Sequence, residues 1–540
     1  MIGVVANRND QWAVEEFFEL FKTPWEWAVK GRRYSVVLST AGFADELETQ
    51  LVLAYASTGH PPGNEATVPF DTIVGPVIVA WQDFTFPIYG PTSIFRSSAT
   101  RSILRCGDRP LECHQESGGR AVRRIGYDLF AEVRYLLEEG QPASHAATPT
   151  LELHIARLRS LLLESGVSFV EIPPSPDGHD FICCLTHDVD FFGIRRHTFD
   201  RTLAGFLARA SVGTLINLVC RKKRVGEAVQ NWVALLSLPF VYLGLARDFW
   251  HPFQDYARIE HGRPSTFFVV PFKGRPGVSP MGTIDSKRAV PYQLSEIADD
   301  LDAALATGKE LGVHGIDAWR DAHAGANELR ELTSATGQRT AGIRMHWLYL
   351  NTASPKPLEA AGFDYDSTWG YNDAVGYRAG TSQVFRLPGT AGLMELPMTI
   401  MDSAMFYNDR MGLDERGASS VCSQILENAR RFGGALVLNW HCRSLAPERL
   451  WGRFYEHLLR RVGEDHRAWF ATAAQAVGWF RWRRSIRFTR DARTSAITIV
   501  APARASSWPA ALIRVNRGPV PEPASEEFSF DGREPLSLVL

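Results

Sequence analysis

Cysteine is scarce in this sequence. Seven occur in 540 residues, an odd number, and none has the paired Cys-x-x-Cys spacing. That excludes a disulfide-stapled scaffold and a cysteine-built zinc ribbon, and leaves reduced thiols as the reading. Charge of one sign is also missing. Lys and Arg total 58 against 60 Asp and Glu, a net charge of −2, so no overall field favours nucleic acid. The start, MIGVVANRNDQWAVEEFF, lacks a basic segment followed by an apolar run. No secretory signal is read, and a cytoplasmic protein is expected. Internal repeats and low-complexity tracts are absent too. What remains is ordinary: 45% hydrophobic and 22% charged residues, as in folded soluble chains, over a length that suits about two to four domains.

Periodicity divides the chain into three. Residues 1–177 mix strand-like runs (34–38 and 72–80) with amphipathic helical stretches (124–137 and 151–165) and read as an α/β accessory domain. The stretch Ile172-Pro-Pro-Ser-Pro-Asp-Gly178 ends it. From 178 to 485, short apolar runs alternate with helical stretches. They include Phe181-Ile-Cys-Cys-Leu185, Ser265-Thr-Phe-Phe-Val-Val270, Glu310-Leu-Gly-Val-His314, Gly342-Ile-Arg344, Met394-Glu-Leu-Pro397 and Ala435-Leu-Val-Leu-Asn439. Alternation of this kind predicts an α/β fold with a parallel sheet or barrel, and polar residues gather where the runs end, the place of catalytic groups in barrels. An insert at about 191–263 carries Arg221-Lys-Lys-Arg224 and an apolar stretch, 232–246, interrupted by Pro239. Too short to span a bilayer, it is expected to be a buried helical hairpin; contact with a membrane surface is the less favoured reading. Residues 486–540 hold four short strand signals and read as a small β module.

The chemistry-bearing residues sit at those run ends. Asp188 and Asp190 are two apart, so an extended backbone puts them on one face; one carboxylate can bind a cation while the other acts as a base. His314 and Asp317 are three apart and share a face if a helical turn starts there. With Asp190 they would make a His/Asp/Asp set with open positions, as in a catalytic rather than a structural zinc site. Arg344 is suited to holding a carboxylate ionised, and His441, in Asn439-Trp-His-Cys-Arg443, to protonating a leaving amine. Taken singly, each has a plain structural reading as a strand-end hydrogen bonder, a helix cap or a surface ion pair.

In order and context these residues resemble the polysaccharide deacetylase (NodB-like) family of carbohydrate esterases, over a little more than half the chain. Thr186-His-Asp-Val-Asp190 is similar to a variant of the family's opening motif, Ser265-Thr-Phe-Phe268 to its next strand, Gly312-Val-His314 to the second motif, Gly342-Ile-Arg344 to the third, and Leu438-Asn-Trp-His441 to the last. Tyr365-Asp-Ser-Thr-Trp369 lies near the expected fourth motif, and Gly376-Tyr-Arg-Ala-Gly-Thr381 resembles bacterial members of undefined substrate. The resemblance implies a distorted (β/α) barrel deacetylase domain. It gives Asp188 the role of base, Asp190 and His314 those of metal ligands, Arg344 that of supporting the base and His441 that of acid. The family's second motif carries another histidine four residues after the first, where this chain has Ala318. Asp317 is taken as the substitute, with His323 and His346 as rivals.

The expectation is therefore a hydrolase that uses a divalent metal, zinc first, to remove an acetyl-sized acyl group from an N-acylated carbohydrate or sugar-containing metabolite. The alternatives are a non-sugar amide or imide as substrate, or a silent carbohydrate-binding protein. His346, Asp366, Trp369 and Trp440 are candidates for substrate contact or support, and Phe191, Phe192, Trp319, Trp347, Trp369 and Trp440 could line a sugar-stacking cleft.

Overall fold

The computed structural model describes residues 1–41, 47–56, 69–96, 103–117, 120–220, 225–449, 451–464, 466–490, 496–518 and 524–539. The Arg221-Lys-Lys-Arg224 run lies outside them. The central element is a curled sheet with strands β1 (Phe181–Val189), β2 (Ser265–Val269), β3 (Glu310–Gly315), β4 (Ile343–Met345), β5 (Tyr365–Asp366), β6 (Phe385–Arg386), β7 (Met394–Glu395), β8 (Ile400–Met401), β9 (Ala435–Asn439) and β10 (Ala468–Phe470). The order is β6-β7-β5-β4-β3-β2-β1-β9-β8, with β10 also on β1. Among the described residues only the β6–β7 pair is antiparallel. Among the described residues the ladder does not close, so the sheet is an open half-barrel rather than a full ring.

All nine residues of β1 are buried. This is why it reads as a continuous apolar run rather than an alternating one. Register then sets the site. Thr186 of β1 lies opposite Asn439 of β9, and His314 of β3 opposite Arg344 of β4, so parallel pairing brings the polar run ends to one rim.

Residues before 178 form an α/β unit whose six-stranded sheet pairs mostly in parallel. The helix expected at 124–137 starts later, at Leu129–Glu138, because Arg120–Ile125 is a strand and Asp128 caps the helix by accepting from the N–H groups of Phe130 and Ala131. The 72–80 run is two strands, Phe70–Ile73 and Val77–Trp81, in different sheets. The residues after 486 form two three-stranded sheets, one of which takes in Phe169–Glu171 from before the expected boundary at 177. Arg483, fully buried, ties these parts together by donating to the carbonyls of Glu19, Leu20, Ile172 and Pro173.

The insert contains two antiparallel helices, α1 (Arg201–Val219, with a π turn at Arg209–Gly213) and α2 (Val225–Tyr242), followed by α3 (Pro252–Glu260). The hairpin expected from the sequence is present, but it is not buried. Its inner seam (Phe206, Ala210, Ala234, Leu238, Val241) packs on Trp250 and Ala446. Its outer side is exposed.

Candidate metal centre and active-site cleft

A cleft of about 710 Å³ opens at the C-terminal rim of the sheet, with Asp188, Asp190, His314, His346 and His441 on its walls. Asp190 Oδ1 lies 3.2 Å from His314 Nε2 and 3.2 Å from His346 Nε2. One ligating atom from each of the three falls within 4.8 Å of the others. The donor set fits a divalent ion on three counts. Asp190 Oδ1 is buried with no hydrogen-bond donor of its own. His314 Nδ1 donates to the carbonyl of Arg344 at 2.9 Å, which leaves the Nε2 lone pair facing Asp190. Burial first, with the nearby His314 and Arg288 adding to it, holds the His346 imidazole down to about 3 against the pull of Asp190, so it is neutral, the form that can ligate a metal. Two imidazoles and one carboxylate with open positions are a donor set that zinc accepts in catalysis.

The third member is thus His346, a rival in the sequence reading, and not Asp317. Asp317 Oδ1 accepts from the Val278 N–H at 3.0 Å and from Arg320 Nε at 2.9 Å. His323 is exposed near the start of a helix, outside the cluster. His346 gets its position from backbone that no periodicity reveals. Trp347 and Leu348 follow it with φ of 62° and 54°, a conformation that side chains larger than glycine rarely adopt. The buried Arg288 clamps this turn by donating to the carbonyls of His346, Ile316 and Pro276. The β3 exit is held by Glu328, which accepts from the N–H groups of Ile316 and Asp317.

Asp188 sits beside the triad. Its Oδ1 accepts from Arg344 Nη1 at 3.0 Å and its Oδ2 from Asn439 Nδ2 at 2.8 Å. Burial alone would raise its carboxyl. The Arg344 guanidinium, then the His314 and His441 imidazoles, outweigh it and hold the group below the usual carboxylate range. Arg344 is fully buried and spends every arm: Nη1 also reaches Thr186 Oγ1 and Asn439 Oδ1, while Nε and Nη2 donate to Ser367. Its guanidinium lies 4.4 Å from the centre of the Phe268 ring. Across the cleft, His441 Nε2 lies 3.8 Å from Asp188 Oδ2 and 3.9 Å from Asp190 Oδ2. His441 Nδ1 meets Asp402 Oδ1 at 2.7 Å, and Asp402 Oδ2 accepts from the His441 backbone N–H and from Ser444 Oγ. Burial would lower this imidazole; Asp402 above all, then Asp190 and Asp188, push it up to about 10.

The sequence reading missed Asp402, Arg288 and Asn439. Asn439 had a signal, standing opposite Thr186 in any parallel pairing of β1 with β9. Asp402 and Arg288 lie in segments with no motif. Asp366 is not in the cleft but behind Arg344, paired with the buried Glu395; burial pushes Asp366 up to about 6. The expected aromatic cleft is mostly core. Trp369 packs on Arg378 and Phe385, and Trp440 stacks on Tyr455 with centroids 4.8 Å apart. Of the six rings, Phe191 and Trp347 line the cleft.

No protein-family model matches the chain, and no curated protein matches it. Solved structures overlap with it weakly. A Mycobacterium smegmatis protein classed as a polysaccharide deacetylase is 19% identical, with 58% of this chain and 95% of that one covered and a TM-score of 0.34. The PuuE allantoinase is 13% identical, with 56% and 91% covered and a TM-score of 0.33. A CE4 family pseudoenzyme from Bacillus anthracis is 10% identical, with 53% and 61% covered and a TM-score of 0.23. Overlaps this slight carry no weight, and the functional case stands on the geometry of the cleft.

Proposed function

We propose that the protein is a metal-dependent hydrolase that cleaves an acyl group from the nitrogen of an anionic N-acyl compound, an N-acylated sugar derivative first. The observation that carries this reading is the facing of two assemblies across one cleft: the Asp190–His314–His346 triangle with its undonated carboxylate oxygen, and the Asp188–His441 pair.

Asp190 Oδ1, His314 Nε2 and His346 Nε2 would hold the ion. When bound, a divalent ion makes water a nucleophile near neutral pH and polarises the acyl carbonyl. Asp188, kept ionised by Arg344, accepts the water proton on Oδ2, the oxygen that faces His441. His441 enters as the imidazolium, its Nδ1–H anchored on Asp402, and gives the Nε2 proton to the departing amine. An acid and a base set together beside the ligand cluster favour an enzyme over a silent binding protein.

The walls favour an anionic substrate. Arg201, Arg209, Lys287, Arg288, Arg410 and Arg443 line the cleft against three aspartates, Asp188, Asp190 and Asp200. Phe191 and Trp347 line the same cleft and are the rings against which a sugar could pack. The test is a panel of N-acetyl sugars, sugar phosphates and N-acyl amino acids, assayed with metal-loaded protein. Release of carboxylate from the phosphorylated or acidic members supports the reading. Absence of any turnover by protein shown to hold metal would refute it.

A further inference from the structure

The hairpin α1–α2 presents an outer face of an unusual kind for a folded surface. Past the exposed Arg201 at its base, the exposed side chains of α1 are Ala204, Leu207, Ala208, Val212, Leu215, Ile216 and Val219, followed by Cys220; on α2, Val225, Val229, Trp232, Val233, Leu236, Pro239 and Phe240 are exposed, with Gln230 as the one polar side chain among them. Leu236 is 74% and Val219 75% exposed. Scattered apolar residues on a surface need no explanation, but a contiguous stripe along two neighbouring helices does. Three charges fall on the two helices, Arg201 and Arg209 on α1 and Glu227 on α2, and none lies within the apolar stripe; Arg201 is exposed at the base of α1, on the cleft side. Arg209 lines the cleft, and Glu227 lies 3.7 Å from Arg453 of the underlying domain.

We infer that this outer face inserts into the hydrocarbon surface of a lipid bilayer, with the hairpin lying in the membrane plane. Three observations favour lipid over a protein partner. First, four polar side chains within the hairpin, Ser211, Thr214, Asn231 and Ser237, bond inside it rather than outward. Asn231 Nδ2 donates to Thr214 Oγ1 at 2.7 Å, and Thr214, Ser211 and Ser237 hydroxyls donate back to the carbonyls of Arg209, Leu207 and Ala234. Hydrocarbon demands that arrangement, since it offers no hydrogen bonds. Second, protein interfaces carry a polar rim and regular hydrogen-bonding groups, whereas among the described residues the exposed stripe from Ala204 to Val219 and from Val225 to Phe240 presents one polar side chain, Gln230. Third, α1 is long and apolar enough to cross a membrane by length and composition, yet is mostly exposed. Its inner side is already committed to α2 and to Trp250, so only half its circumference is free. That geometry suits in-plane insertion rather than crossing. The sequence between the helices, Arg221-Lys-Lys-Arg224, adds four cations, which favour anionic headgroups. His197, Asp200, Arg201 and Thr202 at the base of the hairpin line the cleft, so docking would hold the cleft beside the bilayer. The inference stands whether or not the proposed hydrolysis does.

The experiment is flotation of the full chain with phosphatidylcholine vesicles, with and without phosphatidylglycerol, followed by a high-salt wash. The wild type should float, more with phosphatidylglycerol, and stay bound through the wash. The triple change Ile216→Ser, Leu236→Ser and Phe240→Ser alters exposed positions, and should lower the bound fraction about tenfold or more while the protein stays monodisperse. As a second reading on protein with its native apolar face, bromine-labelled acyl chains should quench tryptophan emission, and Trp232→Phe should reduce that quenching. Failure to float with either lipid, complete release by salt, or self-association that the triple change abolishes in place of vesicle binding would each overturn the inference.

Discussion

Replacing Arg344 with Met exposes how the base is held. The guanidinium is fully buried and touches Asp188, Thr186, Asn439 and Ser367. Methionine fills the volume but leaves a buried carboxylate without its counter-charge. Breaking a buried pair from one side costs about 3–5 kcal/mol, far more than the spread of surface substitutions. The pH dependence identifies the cause. In the wild type the Asp188 carboxyl lies below its ordinary value, so its contribution to stability is present above the unfolded value of about 3.9 and is lost as pH falls through the folded one. In Arg344→Met, burial acts against the His314 and His441 imidazoles without the guanidinium, so the carboxyl rises and its ionised form costs the fold more at neutral pH. The gap between the two proteins should be widest at neutral pH and shrink as pH falls through the carboxylate range. Chemical unfolding of metal-free protein at several pH values measures this, with Asp188→Asn/Arg344→Met as the control, in which the pH-dependent part should vanish. A gap below about 1 kcal/mol at neutral pH, well short of the buried-pair range, or one that does not change with pH, would refute the reasoning.

Other changes separate the roles in the cleft. His346→Ala should lower metal affinity by about 100-fold or more, given zinc-site energies of about 10–16 kcal/mol shared among the ligands, whereas Asp317→Ala should leave metal content unchanged; equilibrium dialysis ranks them. Asp188→Asn and His441→Ala should each reduce hydrolysis by about 10²–10⁴-fold with metal still bound, as seen by parallel rate and metal assays. Asp402→Asn removes the leading cause of the raised His441 imidazole, so the alkaline limb of the pH–rate profile should move to lower pH. Arg443→Met should raise KM for an anionic N-acyl substrate and leave a neutral one unaffected, which initial-rate kinetics on the pair will show.

The parts legible in the sequence are those carried by single strands. β1, β3 and β9 announce themselves as short apolar runs, and Asp188, Asp190, His314 and His441 stand at or just past their ends. What depends on contact between strands was less visible. Asp317 is three residues from His314, and local spacing made it the natural third ligand; the residue that completes the cluster, His346, belongs to the next strand's exit and is turned by left-handed backbone at Trp347 and Leu348. Asp402 and His441 meet at 2.7 Å although 39 residues apart, with no motif to join them. Apolar composition likewise says nothing about which side of a helix is covered. Trp369 and Trp440 were candidates for the cleft and lie in the core, while Leu236 and Phe240 were expected in the core and lie outside.

The central claim is that Asp190, His314 and His346 form a metal centre facing Asp188 and His441. Anomalous diffraction at the zinc edge from zinc-soaked crystals tests it most directly. The account predicts one strong peak among Asp190 Oδ1, His314 Nε2 and His346 Nε2, lost in His346→Ala. A peak on Asp317 instead, or none among the three residues with zinc in excess, would contradict it.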